Sequence, residues 1–157
     1  MTAVIKFSKP IKKPTRATKQ SVGLDFYAPE SIRILPRNSA TINLGFSIQA
    51  PLQHYTLLKE RSSLALKNLI CLGGVIDPDF SGDVIFILHN LSDKAYVVQK
   101  GEKIGQMLFF RSVFPKVFTI KMFSTEKNNQ MSEIRYLREE RGKNGFGSSN
   151  EEGENKN

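Results

Sequence analysis

Cysteine, tryptophan and long apolar runs are scarce or missing in this chain, and each absence excludes something. The one cysteine, Cys71, cannot form an internal disulfide framework or by itself build a cysteine-ligated metal site, so it reads as a small buried hydrophobe. No stretch approaches the ~18 apolar residues that a membrane-crossing helix needs. The first twenty residues contain no acid, yet they are Lys-rich and Pro-broken with no apolar core of a signal peptide. An intracellular protein, cytoplasmic or nuclear and without a membrane partner, is therefore expected. Tryptophan is absent and the charge is scattered beyond the first segment, so no nucleic-acid reading motif stands out.

What is present is a basic chain of 157 residues with a net charge of +8, one domain in size and long enough to bury a core. Six of its positive charges lie in Met1 to Gln20, while the last eight residues carry three Glu against one Lys. Such a surface suits a small, highly anionic ligand by steering it as well as it suits a nucleic acid. The segment KPIKKPTRATK at 9–19 reads as a solvated extended arm, with a targeting sequence as the alternative.

Short β-branched and aromatic runs recur about every ten residues, separated by Pro, Gly and Asn, which is the cadence of an all-β sandwich or barrel. Strands are expected at 4–7, 24–28, 32–35, 40–44, 46–49, 55–58, 70–72, 84–88, 95–99, 103–110 and 116–123. The run at 84–88 reads as a strand buried on both faces, and Val75-Ile76 reads as its hairpin partner. One helix of about two turns is expected over 64–68, capped by Ser62 or Ser63. A β core over 1–123 is followed by a polar connector and a Gly-rich tail over 124–157, whose composition predicts mobility unless a ligand holds it.

The densest stretch is GGVIDPDFSGDV at 73–84. Asp77 falls at a tight bend, where a carboxylate can orient or deprotonate a water, and Phe80 can lay a ring against what that water attacks. The same string is also good turn chemistry and nothing more. Arg61, Ser62 and Ser63 fall at the expected helix start, where free N–H groups, the helix dipole and a guanidinium favour phosphate oxygens; a cap beside a surface charge is the plainer reading.

Five segments taken together, SVGLDFYA at 21–28, ERSSLA at 60–65, GGVIDPDFSGDV at 73–84, KGEKIGQM at 100–107 and RGKNGFGSS at 141–149, resemble in content and order the motifs of the trimeric dUTP pyrophosphatase (dUTPase) family. The resemblance implies a dUTPase-like jelly roll and hydrolysis of dUTP to dUMP and pyrophosphate by water attack on the α-phosphate, with Mg2+ on the triphosphate. It also implies a role in limiting uracil incorporation into DNA and supplying dUMP for thymidylate synthesis. By the same resemblance Asp77 activates the water, Asp25 touches Mg2+ through water, and Arg61, Ser62, Ser63 and Gln106 attend the phosphates. Gly74, Val75 and Ile76 would present backbone groups to uracil and Phe80 would pack on the deoxyribose. Arg141 would reach the γ-phosphate, Phe146 would stack on the base, and Gly147, Ser148 and Ser149 would wrap the phosphates. Homotrimers with shared sites are implied, with dUTP as the partner and no stable nucleic-acid binding.

Three departures stand out. Phe80 replaces the family's usual Tyr, Ser63 a Gly and Asn144 a Gly. The related dCTP deaminases share the I-D-P turn but carry a glutamate where this chain has Ile87, and isoleucine cannot relay protons. A dUTPase-derived module that has lost catalysis is expected to lack Asp77, Arg61 or the Phe146 loop, all of which are here.

Overall fold

The computed structural model describes residues 2–115 together with the backbone of 118–119 and 132–133. Its strands are β1 (Val4–Phe7), β2 (Leu24–Tyr27), β3 (Ile32–Ile34), β4 (Ser39–Asn43), β5 (Phe46–Gln49), β6 (His54–Glu60), β7 (Leu69–Leu72), β8 (Val75–Ile76), β9 (Ile85–Asn90), β10 (Tyr96–Val98), β11 (Lys103–Arg111), β12 (Phe118–Thr119) and β13 (Ser132–Glu133), with one helix, α1 (Ser62–Ala65), between β6 and β7. Every strand pairing is antiparallel. The expected all-β jelly roll is the fold.

Two sheets form its body, one in the order β2-β11-β6-β8 and one in the order β4-β9-β7. Their inner faces supply Phe26, Leu58, Ile104 and Met107 from the first and Ile42, Leu69, Phe86 and Leu88 from the second, all essentially without solvent exposure. Phe26 meets Phe86 edge-on across the gap, ring centroids 5.0 Å apart at 79°, the geometry that aromatic quadrupoles favour. β9 alternates half-buried and buried residues from Ile85 to Asn90, because only one of its faces meets the core. The expectation of burial on both faces is corrected accordingly.

The hairpin expected between Val75-Ile76 and the 84–88 run does not form. β8 pairs with β6, Thr56 opposite Ile76 and Leu57 opposite Val75, while β9 lies between β4 and β7 in the other sheet. The turn at 77–83 is thus a crossover between sheets rather than a hairpin loop. Gly74 makes this path possible. Its φ of 96° is left-handed backbone, its carbonyl accepts the Leu58 N–H at 2.7 Å, and a Cβ there would come 2.7 Å from the Leu58 carbonyl oxygen.

The helix is one turn rather than two. Arg61, at φ −80° and ψ 149°, is its N-cap and makes no side-chain capping bond, so neither Ser62 nor Ser63 has the expected capping role. Asn68 then takes φ 61° and turns the chain into β7, and of the apolar residues at 64–66 only Leu64 is buried. The left-handed turn that Asn tolerates ends the helix early.

The basic arm is exposed over most of its length, as expected, and is tied down at a few points. Thr15 exchanges both backbone hydrogen bonds with Asp25 of β2, at 2.9 and 2.8 Å, and its hydroxyl shares a 2.5 Å bond with Tyr27. Ile11 packs against the core, Lys12 Nζ lies 4.0 Å from the Tyr27 ring centroid, and the Arg16 guanidinium donates to the carbonyls of Ser21 and Val22. The arm's lysines nevertheless stay exposed.

Candidate active site

β2 and β11 bring two of the expected residues face to face. Asp25 lies directly opposite Gln106 in the antiparallel register, so their side chains leave the sheet on the same side. Gly23 makes room for the glutamine: a Cβ at Gly23 would fall 2.1 Å from Gln106 Oε1. On the other flank of β11, Gly105 is paired with Glu60 at the end of β6, and the next residue is Arg61. Three strands that are far apart in sequence therefore deliver Asp25, Gln106 and Arg61 to one end of one sheet.

Asp25 is only 5% exposed. Its carboxylate lies between two cations, Arg61 Nε at 3.3 Å from Oδ1 and Lys103 Nζ at 3.0 Å from Oδ2. The lysine is close enough for an ion pair but lies off the direction of a hydrogen bond, so Oδ2 retains unused acceptor capacity. Lys103 is the site residue that sequence reasoning missed. In a regular strand it would face away from Gln106, three residues on. A β-bulge between Lys103 and Gly105 inserts one residue, and both side chains emerge on the face of Asp25.

Beside the cluster, Glu60 braces the β6 end against β7, its Oε2 accepting the Cys71 N–H at 3.0 Å and pairing with Lys59 at 3.2 Å. Burial raises its carboxyl pKa, but those hydrogen bonds and the lysine outweigh it and the group titrates below its ordinary value. Cys71 is half-buried, and desolvation pushes its thiol up to about 11. Ser62 and Ser63 are exposed next to Arg61. A single helical turn adds little dipole, so attraction for anions here rests on the arginine and Lys103.

The remaining expected residues lie elsewhere. Val75 is 61% exposed, and Ile76, Asp77 and Phe80 are half-buried, on the far edge of the same sheet. Asp77 continues β8 to the level of Tyr55, which faces Phe110, four residues along β11 from Gln106. With three strand spacings across and four residues along, the Asp77 and Asp25 backbones are roughly 20 Å apart. Within one chain they cannot hold the same water. Arg141, Phe146, Gly147, Ser148, Ser149 and Asn144 lie outside the described residues, as does most of the expected 116–123 strand and the boundary near 124.

No group of three or more His, Cys, Asp or Glu able to hold a metal occurs among the described residues. A lone carboxylate between two cations is a poor cage for a bare divalent ion. It does suit one that arrives on phosphate oxygens with its waters, since magnesium keeps several waters and needs only one or two protein carboxylates. No helix among the described residues is long and apolar enough to cross a membrane.

Fold and cluster together define a jelly-roll protein with a buried carboxylate and two cations gathered at one sheet end. The dUTPase family model matches residues 9–150. The deoxyuridine 5'-triphosphate nucleotidohydrolase of Yarrowia lipolytica is 34% identical over 139 residues, covering 88% of this chain and 82% of its own length. The fowlpox virus protein of the same name is 32% identical over 147 residues, covering 93% and 94%. Among solved structures, a variant of the Staphylococcus bacteriophage 80alpha dUTPase with dUpNHpp has the same fold, with a TM-score of 0.70 at 20% identity over 79% of this chain and 99% of that one. A phage phi11 dUTPase variant described with a structural Mg(II) ion has a TM-score of 0.70 at 18% identity, over 80% and 100%. This chain belongs to the dUTPase family.

Proposed function

We propose that this chain hydrolyses dUTP to dUMP and pyrophosphate as a homotrimer whose sites are shared between subunits. The observation that carries the shared site is the separation inside one subunit. Arg61, Asp25, Lys103 and Gln106 gather at one end of the sheet, and Asp77 and Phe80 stand at its opposite edge. A second copy that brings its 73–80 segment against the cluster unites a carboxylate for water with cations for phosphate. The exposed Val75 on that edge and the exposed Leu72 just before it in the chain offer apolar surface for such a contact.

In the assembled site Arg61 and the adjacent Ser62 and Ser63 bind phosphate oxygens, and Gln106 fixes the phosphates and a water by its amide. Asp77 accepts the proton of the attacking water as its oxygen approaches the α-phosphorus, and pyrophosphate leaves. Magnesium carried on the triphosphate would supply charge neutralisation, and Asp25 is the residue that would face it through water. Phe80 keeps the ring that fills the space a ribose 2′-hydroxyl would need, without a phenol oxygen to bond. The Gly74-to-Ile76 backbone offers hydrogen-bonding groups that match uracil and mismatch cytosine. Arg141, Phe146, Gly147, Ser148 and Ser149 close over the nucleotide and exclude water. The test is pyrophosphate release from dUTP beside UTP, dCTP and dTTP, for the chain and for Asp77→Asn. Release from dUTP alone that vanishes in the variant supports the reading, and silence on all four nucleotides overturns it.

A further inference from the structure

Lys103 has no role in the proposed hydrolysis, yet the bulge places it against the most enclosed group of the cluster. Its stem leaves β11 one residue before the bulge, and its ammonium reaches a carboxylate that is almost wholly enclosed. Without Lys103, Asp25 and Arg61 would make a neutral pair, and no cation would stand against Oδ2 of the carboxylate. With it, the three groups sum to one positive charge, the sign that a triphosphate seeks and a divalent cation avoids. The bulge is what makes this arithmetic possible, since an unbulged β11 would aim the lysine at the opposite face.

We propose that Lys103 is a positioning residue that occupies Oδ2 of Asp25, so that the site admits a polyphosphate with its magnesium and refuses the bare ion. Arg61 holds Oδ1 and Lys103 holds Oδ2 by charge, without a directed hydrogen bond. A lysine held this way can swing from the carboxylate to a phosphate oxygen when the nucleotide enters. Asp25 Oδ2 is then released to the water shell of the magnesium that arrives with it. Lys103 therefore orders the events: polyphosphate first, and the carboxylate available only afterwards.

The nucleotide part of this inference rests on the proposed hydrolysis, whereas the ion part does not. The experiment uses the full chain and its Lys103→Met, Lys103→Arg and Asp25→Asn/Lys103→Met variants. Mn2+ alone is titrated into nucleotide-free protein and read by the loss of the free-ion EPR signal. Lys103→Met is expected to bind Mn2+ on the order of ten-fold more tightly than the parent, Lys103→Arg to behave as the parent, and the double variant to lose the gain. In steady-state hydrolysis Lys103→Met raises KM for dUTP about ten-fold with a several-fold smaller effect on kcat, and Lys103→Arg restores KM. Unchanged Mn2+ affinity in Lys103→Met, or a gain that survives in the double variant, overturns the proposal. Absence of turnover in every protein, the parent included, overturns the hydrolytic reading and leaves the Mn2+ result to decide on Lys103. Circular dichroism confirms that each variant is folded before it is scored.

Discussion

Gly23→Ala puts the architecture of the cluster to a quantitative test. The added methyl would lie 2.1 Å from Gln106 Oε1, 3.0 Å from Cδ and 3.1 Å from Cβ. The severe contact is with the far end of a flexible side chain, so the protein can relieve it by turning the amide away. Restoring ordinary contact requires the amide oxygen to move by roughly 1 Å or more. Displacement on that scale at a positioned group costs on the order of 10²-fold in turnover. Stability should hardly change, because Gly23 has no left-handed backbone and exchanging Gly for Ala in extended chain is worth only ~0.5–1 kcal/mol in the alanine's favour. Gly105→Ala is the contrasting case. There the methyl would meet Phe26 Cζ at 2.2 Å, Phe26 Cε2 at 2.8 Å and the Lys59 carbonyl oxygen at 3.0 Å, and Phe26 is locked against Phe86. Overpacking of that kind costs about 1–3 kcal/mol or more and should lower the unfolding midpoint. The assays are pyrophosphate release and urea unfolding on both variants. A Gly23→Ala protein that is stable and turns over within about two-fold of the parent would refute the placement of Gln106 in the chemistry.

Other expectations follow from the same coordinates. Asp77→Asn should lower kcat by ~10²–10⁴-fold while leaving the unfolding midpoint in place. Asp77→Asn and Arg61→Ala, each inactive alone, should regain activity when refolded together, with roughly one site in four rebuilt from two intact halves; trimers that form in the mixture and stay inactive would exclude a shared site. Asn90 is fully buried, donates to the carbonyls of Ile34, Leu35 and Lys94 and accepts from Ser92, so Asn90→Ala should cost ~3 kcal/mol in urea unfolding, through loss of the β9-end turn. Cys71 binds its proton more tightly folded than unfolded, so its share of stability is intact below its ordinary pKa near 9 and declines as pH rises toward about 11. Cys71→Ala should flatten the stability profile over that window, and the parent thiol should resist Ellman's reagent at pH 8 until the protein is unfolded.

The strand cadence was readable because β-branched runs and turn residues alternate on the scale of the strands themselves, and nearly every expected strand between 4 and 110 is present within a residue or two. Pairing was not readable in the same way. Val75-Ile76 and the 84–88 run are neighbours in sequence, yet Asp77-to-Asp83 carries the chain from one sheet to the other, a decision made by packing rather than by turn chemistry. Asp25, Arg61 and Gln106 could be named from their motifs, and their meeting follows from a register that no local pattern encodes. Lys103 was hidden for a sharper reason. Period-two reasoning sets it on the wrong face, and the bulge that corrects this is centred on Ile104 and Gly105, which read as ordinary strand. The helix was overestimated because Leu64, Ala65 and Leu66 are good helix formers, while the left-handed Asn68 that stops them is a tertiary choice.

The bond between Thr15 and Asp25 has a consequence for the chain's behaviour in company. β2 is the last strand of its sheet, and without the arm its outer backbone groups would be free to recruit a strand from another molecule. The arm is too short to count as a strand, and its prolines and lysines make it an unattractive template for further growth. It works as a selvedge, closing the sheet with charge on its outer side. Thr15→Pro, which removes the N–H donated to the Asp25 carbonyl and leaves every cation and β1 in place, should therefore turn a well-behaved particle into one that associates edge to edge, and light scattering would register the change before any assay of turnover did.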